Sequence, residues 1–194
     1  MLRQADADYF NPDEAASRFR EADPLLTPQE ANSRAWQEGK RLLDRATTER
    51  KSFAFETTLG GRTMATLLDR AASTGLEVRV WYVGLRSPEE HIERVRARVA
   101  RGGHDIPEAD IRRRYTRSLE NLVRLLPKLT ELRMFDNSEE GDPKAGRHPN
   151  PRLLLHVNRG EILGPDVSEL AKTPDWAKAV VAAALRNSQE HGRE

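Results

Sequence analysis

Apolar residues along this chain follow two patterns, one typical of strands and one typical of helices. Short and nearly continuous apolar runs, which predict strands, occupy Ser52–Glu56, Leu76–Leu85 and Leu132–Phe135. Apolar residues at helical spacing, which predict a helix with one buried face, follow Ser87 at Ile92, Val95 and Val99. Strands and helices therefore alternate along much of the chain.

Four helix starts combine a short polar side chain, which can cap a helix, with a proline suited to the first turn. The four pairs are Asn11-Pro12, Thr27-Pro28, Ser87-Pro88 and Thr173-Pro174. They predict helices over about residues 12–20, 27–47, 87–101 and 173–185.

This order of elements predicts an α/β fold, specifically a doubly wound, mainly parallel sheet with helices on both faces. Arg152–Val157 and Glu161–Leu163 predict a C-terminal β-hairpin, which the last helix follows. Ser138–Pro151, rich in Gly, Pro and charged residues, predicts a loop. We expect one domain over residues 1–194, with a core over 1–140 and the loop, hairpin and helix over 141–194.

The composition argues against several classes of function. The chain has no cysteine, which excludes disulfides and thiol nucleophiles. Its 32 Lys and Arg nearly balance 31 Asp and Glu, and this balance argues against nucleic-acid binding. No apolar stretch approaches the roughly 18 residues of a membrane helix, and Met1–Asp6 lacks the apolar core of a signal peptide. We expect no membrane association and a cytoplasmic location.

A strand that ends in polar residues and two glycines marks the first candidate site. Glu56, Thr57 and Thr58 follow the apolar run Phe53–Phe55 and should lie at the carboxyl edge of the sheet, where α/β proteins bind ligands. Burial beside that run should partly desolvate Glu56. Asp13, at a helix start, is a candidate general base, although a favourable interaction with the helix dipole explains it as well.

Eight arginines on two predicted helices suggest a second candidate site, a lid over about residues 101–118 that clamps phosphate. Gly102 and Gly103 join the two helices, and Arg101 and Arg114 are the favoured phosphate contacts. A pair of solvated amphipathic helices accounts for the pattern equally well. The eight residues are Arg94, Arg96, Arg98, Arg101, Arg112, Arg113, Arg114 and Arg117.

Asp136 and Asn137 follow the strand Leu132–Phe135, where a nucleotide base or ribose could lie, and an ordinary Asx turn is the alternative. The five histidines have no metal-ligand spacing, so we expect no protein-held metal.

Six segments together resemble the zeta-toxin family of P-loop kinases, and more narrowly its predicted ATPase or kinase branch, over about residues 8–140. The segments that carry the resemblance are Phe10–Glu14, Ser52–Arg62, Val83–Pro88, Arg101–Pro107, Ile111–Tyr115 and Phe135–Ser138.

The resemblance implies an ATP-dependent kinase that uses ATP and Mg²⁺. Some members of that family phosphorylate the 3′-hydroxyl of a UDP-activated amino sugar and act as toxins restrained by an antitoxin. A small hydroxyl-bearing acceptor and a possible antitoxin are thus the implied partners. The implied site residues are Asp13 as base, Arg101 and Arg114 at the transferred phosphoryl group, Glu56, Thr57, Thr58 and Arg62 at the acceptor, and Arg112, Asp136 and Asn137 at the nucleotide.

The chain departs from the family at its start. The family's first strand and its Walker A loop precede the Asn-Pro-Asp motif, and here only about ten residues do. The spacing Gly141–Gly146 continues with Arg147-His148 in place of Lys-Ser/Thr, and Pro149 prevents the helix that should follow. We therefore expect the chain alone to transfer little or no phosphate. It is either part of a longer kinase or, alternatively, a non-catalytic pseudokinase-type binding protein.

Overall fold

A computed structural model describes residues 8–139, 141 and 150–191. The chain packs as two compact units, the first of Met1–Thr58 with Thr66–Leu76 and the second of Leu59–Ala65 with Glu77–Glu194. Each unit combines helices and strands, which confirms the predicted α/β class.

The first unit contains a small parallel sheet and two long helices. Strands β1 (Asp8–Phe10) and β2 (Phe53–Phe55) run parallel, with Phe10 opposite Phe55. Helices α1 (Pro12–Ala22) and α2 (Pro28–Glu49) lie between them in sequence, where parallel strands require a crossover. Helix α3 (Arg62–Ser73) starts in the second unit and continues in the first.

The buried core of the first unit consists mainly of small residues. Its buried cluster consists of Phe10 with four alanines, and Phe19, Leu42, Phe53 and Phe55 pack against it. Gly39 of α2 makes room for an aromatic ring, because a Cβ there would lie 2.7 Å from Phe10 Cε1. The four alanines are Ala15, Ala16, Ala31 and Ala35.

Helix α2 begins with a capping box at Thr27, the polar residue that the sequence predicts as its cap. Glu30 N donates to Thr27 Oγ1 at 3.2 Å, and Thr27 N donates to Glu30 Oε2 at 2.8 Å. Thr27→Ala should lower the free energy of unfolding by about 1 kcal/mol, since it leaves an N-terminal amide of the helix without its acceptor. Urea unfolding monitored by circular dichroism would measure the loss. Thr48→Ala, near the other end of α2, is the control, and an equal loss there would contradict the capping account.

The second unit contains a four-stranded sheet of order β3-β4-β5-β6. Strands β3 and β4 run parallel, whereas β5 and β6 are antiparallel to their neighbours. The four strands are β3 (Arg79–Gly84), β4 (Glu131–Asp136), β5 (Arg152–Asn158) and β6 (Glu161–Gly164).

The helices of the second unit follow β3 and the hairpin. They are α4 (Pro88–Val99), α5 (Glu108–Leu125), α6 (Val167–Leu170) and α7 (Lys178–His191). The core draws on α5, β4, β5 and α7, which supply its largest fully buried side chains. No described helix has the length and apolar character to cross a bilayer.

The sheet differs from the expected single, mainly parallel one. The described strands form two sheets, and each contains one parallel pair. The predicted hairpin is confirmed, but it pairs with β4, so that two of the three strand pairings in the larger sheet are antiparallel. The reason is local, because the tight turn at Arg159 and Gly160, both with positive φ, can only connect antiparallel strands.

Candidate functional site

Two hydrogen-bond donors hold the Glu56 carboxylate at the carboxyl ends of β1 and β2. The Tyr9 hydroxyl donates to Glu56 Oε1, and Asn11 Nδ2 donates to Glu56 Oε2 at 3.2 Å. The Glu56 amide donates to the Phe10 carbonyl at 3.1 Å and thereby extends the parallel pairing by one bond. Both carboxylate oxygens of Glu56 are thus oriented by residues in β1 or directly after it.

Asn11 connects Glu56 to the candidate base. Its Oδ1 accepts from Asp13 N at 2.8 Å and from Glu14 N at 3.2 Å, which caps α1, while its Nδ2 holds Glu56. Asn11 therefore contacts the side chain of Glu56 and the backbone amide of Asp13. Asp13 is exposed in the first helical turn, where a carboxylate also favours the helix dipole.

The expected desolvation of Glu56 is wrong, because Glu56 lies just beyond the end of β2 and is exposed. The structure instead shows a partner that the sequence analysis missed. Donation of the Tyr9 hydroxyl to Glu56 raises the pKa of Tyr9, which keeps the phenol protonated as a donor. A tyrosine two positions before the capping asparagine was the available signal.

The segment Leu59–Gly61 packs against α5. Asn121, only 9% exposed, donates from Nδ2 to the Leu59 carbonyl at 2.8 Å and to the Gly61 carbonyl at 3.4 Å. At Gly60 a Cβ would lie 2.7 Å from Arg114 Cβ. Of the two glycines that mark this site in the sequence, Gly60 is therefore the one that allows a close approach to α5. Thr57, Thr58 and Arg62, which flank the segment, are exposed.

The lid arginines chosen from the sequence have protein partners. Arg101 Nε donates to the Ala97 carbonyl at 3.1 Å. Arg112 pairs with Glu89 across α4 and α5, and this hydrogen bond raises the pKa of Arg112. Arg114 NH2 lies 3.9 Å from the nearest Asp110 oxygen, at the limit of an ion pair.

Other arginines of the same helices also have partners. Arg96 pairs with Glu108 between the helices, and Arg113 lies 2.7 Å from Asp110. Arg98 donates to the His104 carbonyl at 3.1 Å. These contacts support the solvated-helix interpretation for part of the set, because they join α4, α5 and their connection without a ligand.

The carboxyl ends of β3 and β4 form the third cluster. Asp136 Oδ1 accepts from Ser138 N at 3.0 Å, which is the Asx turn considered as an alternative. Asn137 differs, because its hydrogen bonds are made by its backbone. Its amide donates to the Gly84 carbonyl at 2.9 Å and its carbonyl accepts from Arg94 at 2.6 Å. Its Oδ1 is buried without a hydrogen-bond partner among the described residues.

Two neutral rings lie beside this cluster. Tyr115 donates its hydroxyl to the Arg86 carbonyl at 2.9 Å, with the Leu85 carbonyl at 3.3 Å. Burial raises the pKa of Tyr115 to about 12. The His91 ring lies 5.7 Å away, edge to face, and burial lowers the pKa of His91. Tyr115 thus remains a fixed donor at neutral pH.

Comparison with known proteins places these clusters in a family. A family model described as Zeta toxin matches residues 9–140. An uncharacterized protein of Haemophilus influenzae is 31% identical over 106 residues, which cover 55% of this chain and 73% of that protein. No solved structure matches the chain. Because the family match covers more than half of the chain and contains all three clusters, the chain belongs to the zeta toxin family.

Proposed function

We propose that this chain is part of a P-loop-kinase-like phosphotransferase that transfers the γ-phosphate of ATP to a hydroxyl of a small acceptor such as a nucleotide sugar. The observation that carries the proposal is the position of Asn11, whose side chain binds the Glu56 carboxylate and the backbone amide of Asp13 inside the region that matches the family. Family membership and the two parallel strand pairs also support the proposal of a doubly wound, P-loop-kinase-like sheet.

In this proposal the first unit handles the acceptor. Asp13 accepts the proton of the acceptor hydroxyl as the hydroxyl oxygen bonds to the γ-phosphorus, while the bond from that phosphorus to the β–γ bridging oxygen breaks and ADP leaves. Glu56 accepts a hydrogen bond from the acceptor, and Tyr9 and Asn11 fix its orientation beforehand. Thr57 and Thr58 are further proposed contacts in this unit. Arg62, which lies outside it, keeps the acceptor role that the family resemblance implies.

The lid and the third cluster handle the nucleotide. Arg101, Arg112 and Arg114 contact phosphate oxygens, and the exposed Arg112–Glu89 pair supports this role, because an exposed pair contributes only about 0–1 kcal/mol and exchanges easily. Asn137, beside the turn at Asp136, has a buried acceptor suited to the amino group of adenine.

The residues present fit ATP and Mg²⁺ only in part. The 194 residues contain no Gly-x-x-x-x-Gly-Lys-Ser/Thr, and Gly141–Gly146 falls mainly outside the described residues. In the described ranges no group of three or more His, Asp or Glu could hold a metal ion. The β- and γ-phosphates and Mg²⁺ therefore lack their usual ligands in this chain, and we assign no catalytic step to the metal.

The same mismatch favours a second candidate function. A pseudokinase-type protein would bind the acceptor at the acceptor cluster, formed by Glu56 with Tyr9 and Asn11, without transferring phosphate. An antitoxin-like partner is the other candidate ligand of this cluster. This candidate predicts acceptor binding without phosphate transfer.

Titration calorimetry with a UDP-linked amino sugar tests the acceptor cluster. We expect Glu56→Gln to weaken binding about tenfold, since it removes one charged hydrogen bond. Glu14→Gln, another exposed carboxylate of the first unit, should change the affinity less than twofold. Absence of binding by the unmodified chain would contradict both candidate functions.

Mass spectrometry of the acceptor after incubation with ATP and Mg²⁺ separates the two candidates. The protein should be produced from its own locus, so that any preceding segment is included. Phosphorylated acceptor that disappears in Asp13→Asn supports the kinase. Binding without transfer supports the binding protein.

A further inference from the structure

The four-stranded sheet of the second unit has one covered face and one open face. On the covered face, Ser118 of α5 donates to the Tyr82 hydroxyl of β3 at 3.1 Å. Trp81 and Val83 alternate with Tyr82 along β3 and therefore lie on the opposite face, where they are 50% and 54% exposed. Sheets built with helical crossovers are normally covered on both faces, so this exposed apolar surface marks an interaction site. The buried side chains of the covered face include Leu132, Met134, Leu155 and Val157.

The open face carries opposite charges at its two edges. One row of directly paired residues crosses all four strands, from Arg79 on β3 to Glu161 on β6, and both of these end residues are exposed. The next row starts at Trp81 and ends on β6 beside Leu163, which is 53% exposed. The β3 edge thus presents a cation and an indole, and the β6 edge presents a carboxylate and a leucine. The first row is Arg79, Glu131, Asn158 and Glu161, and the second is Trp81, Arg133, His156 and Gly164.

The charged groups at the centre of the open face are already paired within one chain. The Glu131 side chain is 12% exposed, accepts from Arg133 Nε at 2.8 Å and lies 2.8 Å from His156 Nε2. The Arg133 guanidinium in turn lies 5.8 Å from the centroid of the Trp81 ring. A second surface that covers this face would therefore not leave Glu131 as an uncompensated buried charge, which is the costly case.

We propose that the open face binds the same face of a second copy of the chain, so that the protein forms a two-fold symmetric dimer with stacked sheets. A two-fold axis parallel to the strands lays β3 of each copy over β6 of the other. Arg79 then faces Glu161 of the second copy, and Trp81 faces Leu163. A face with opposite charges at its two edges is complementary to itself in this arrangement, which favours a second copy over an unrelated partner. The inference is independent of the proposed phosphotransferase function.

The proposed dimer is weak. Neighbouring strands lie about 4.8 Å apart, so a four-stranded face is only about 15–20 Å wide, and an interface of this size is at the small end of the known range. Arg79 must also give up its exposed pair with Glu77, a carboxylate that Arg159 shares. We expect a dissociation constant of about 10–100 µM.

Sedimentation equilibrium of the full chain tests the dimer. Over about 5–500 µM, the measured mass should rise from the chain mass of 22.0 kDa toward twice that value. Trp81→Ser should raise the dissociation constant about tenfold or more, because it removes the aromatic anchor of the face. Trp36→Ser is the control, since Trp36 is 45% exposed on α2 of the first unit, and should change the constant less than twofold. Circular dichroism should show both variants folded.

Charge reversal tests the two-fold arrangement itself. Arg79→Glu and Glu161→Arg should each weaken the dimer about tenfold, because each places like charges face to face twice per dimer. The double variant restores opposite charges across the interface and should return the dissociation constant to within about threefold of the original value. Within one chain the two positions are three strand spacings apart, about 14 Å, which is too far for them to compensate each other.

Three results would overturn the inference. A mass of one chain at every concentration leaves the open face to a different partner. A dimer that Trp81→Ser does not weaken is held together by another surface. A double variant as weak as the single variants contradicts the facing of β3 and β6. None of these results bears on phosphate transfer, which the acceptor phosphorylation assay judges separately.

Discussion

Gly84→Ala is expected to lower the free energy of unfolding by about 2–3 kcal/mol, although it adds only one methyl group. Gly84 ends β3, and a Cβ at that position would lie 2.3 Å from Trp176 Cη2 and 2.5 Å from Trp176 Cζ3. Real Cβ atoms do not approach other atoms so closely, so the indole must move. The ring is rigid and lies 6.4 Å from the Tyr82 ring, which limits the directions in which it can yield.

A double-variant cycle identifies the indole as the cause. Trp176→Leu removes the three ring carbons that crowd Gly84, and it removes no hydrogen bond, since Trp176 Nε1 has no partner among the described residues. Gly84→Ala should therefore cost less than about 1 kcal/mol in the Trp176→Leu background. Urea unfolding of the four proteins gives the coupling energy. An additive result would show that the glycine is required for some reason other than the indole.

The helices were the most predictable elements, because their start signals are local. Asn11, Thr27 and Ser87 each cap the helix predicted to follow, and the structure gives α1, α2 and α4. Thr173 is the exception. Its hydroxyl donates to the Leu170 carbonyl at 2.6 Å, and a 3₁₀ turn over Asp175–Ala177 precedes α7. A neighbouring carbonyl competes for the side chain, and the sequence does not reveal such competition.

Strand pairing was less predictable than strand position. Each apolar run overlaps a strand, yet β2 comprises only Phe53–Phe55, and nothing within three residues determines which strand lies beside it. The hairpin was predictable because its turn is encoded next to its strands. Pairing of β5 with β4 depends on residues about twenty positions apart, for which the sequence carries no local signal.

The residues of the candidate site also divide into those that local sequence predicts and those that it does not. The carboxylates Asp13 and Glu56 could be assigned from their positions at element ends. Their donors could not, because Tyr9 reaches Glu56 across 47 positions of sequence and Asn121 reaches Leu59 across 62. Such contacts depend on how elements pack, whereas sequence patterns report mainly on neighbours within one or two turns.

Gly60→Ala should lower the free energy of unfolding by about 2–3 kcal/mol, whereas Gly61→Ala should change it by less than about 0.5 kcal/mol. A Cβ at Gly60 would lie 2.7 Å from Arg114 Cβ and 2.9 Å from Arg114 Cα, so the backbone of α5 has to shift. A Cβ at Gly61 meets nothing within 4 Å. The two adjacent substitutions are chemically identical and differ only in this contact.

The Gly60 substitution also tests whether the loop positions Arg114 for binding. Displacement of α5 moves Arg114 and strains the bonds from Asn121 to the Leu59 and Gly61 carbonyls. Under the proposed function, in which Arg114 contacts phosphate, affinity for inorganic tripolyphosphate, measured by titration calorimetry, should then fall about threefold or more in Gly60→Ala and stay unchanged in Gly61→Ala. If Gly60→Ala lost stability but kept its affinity, the close contact would serve packing alone. Equal effects of the two substitutions on stability would contradict the contact itself.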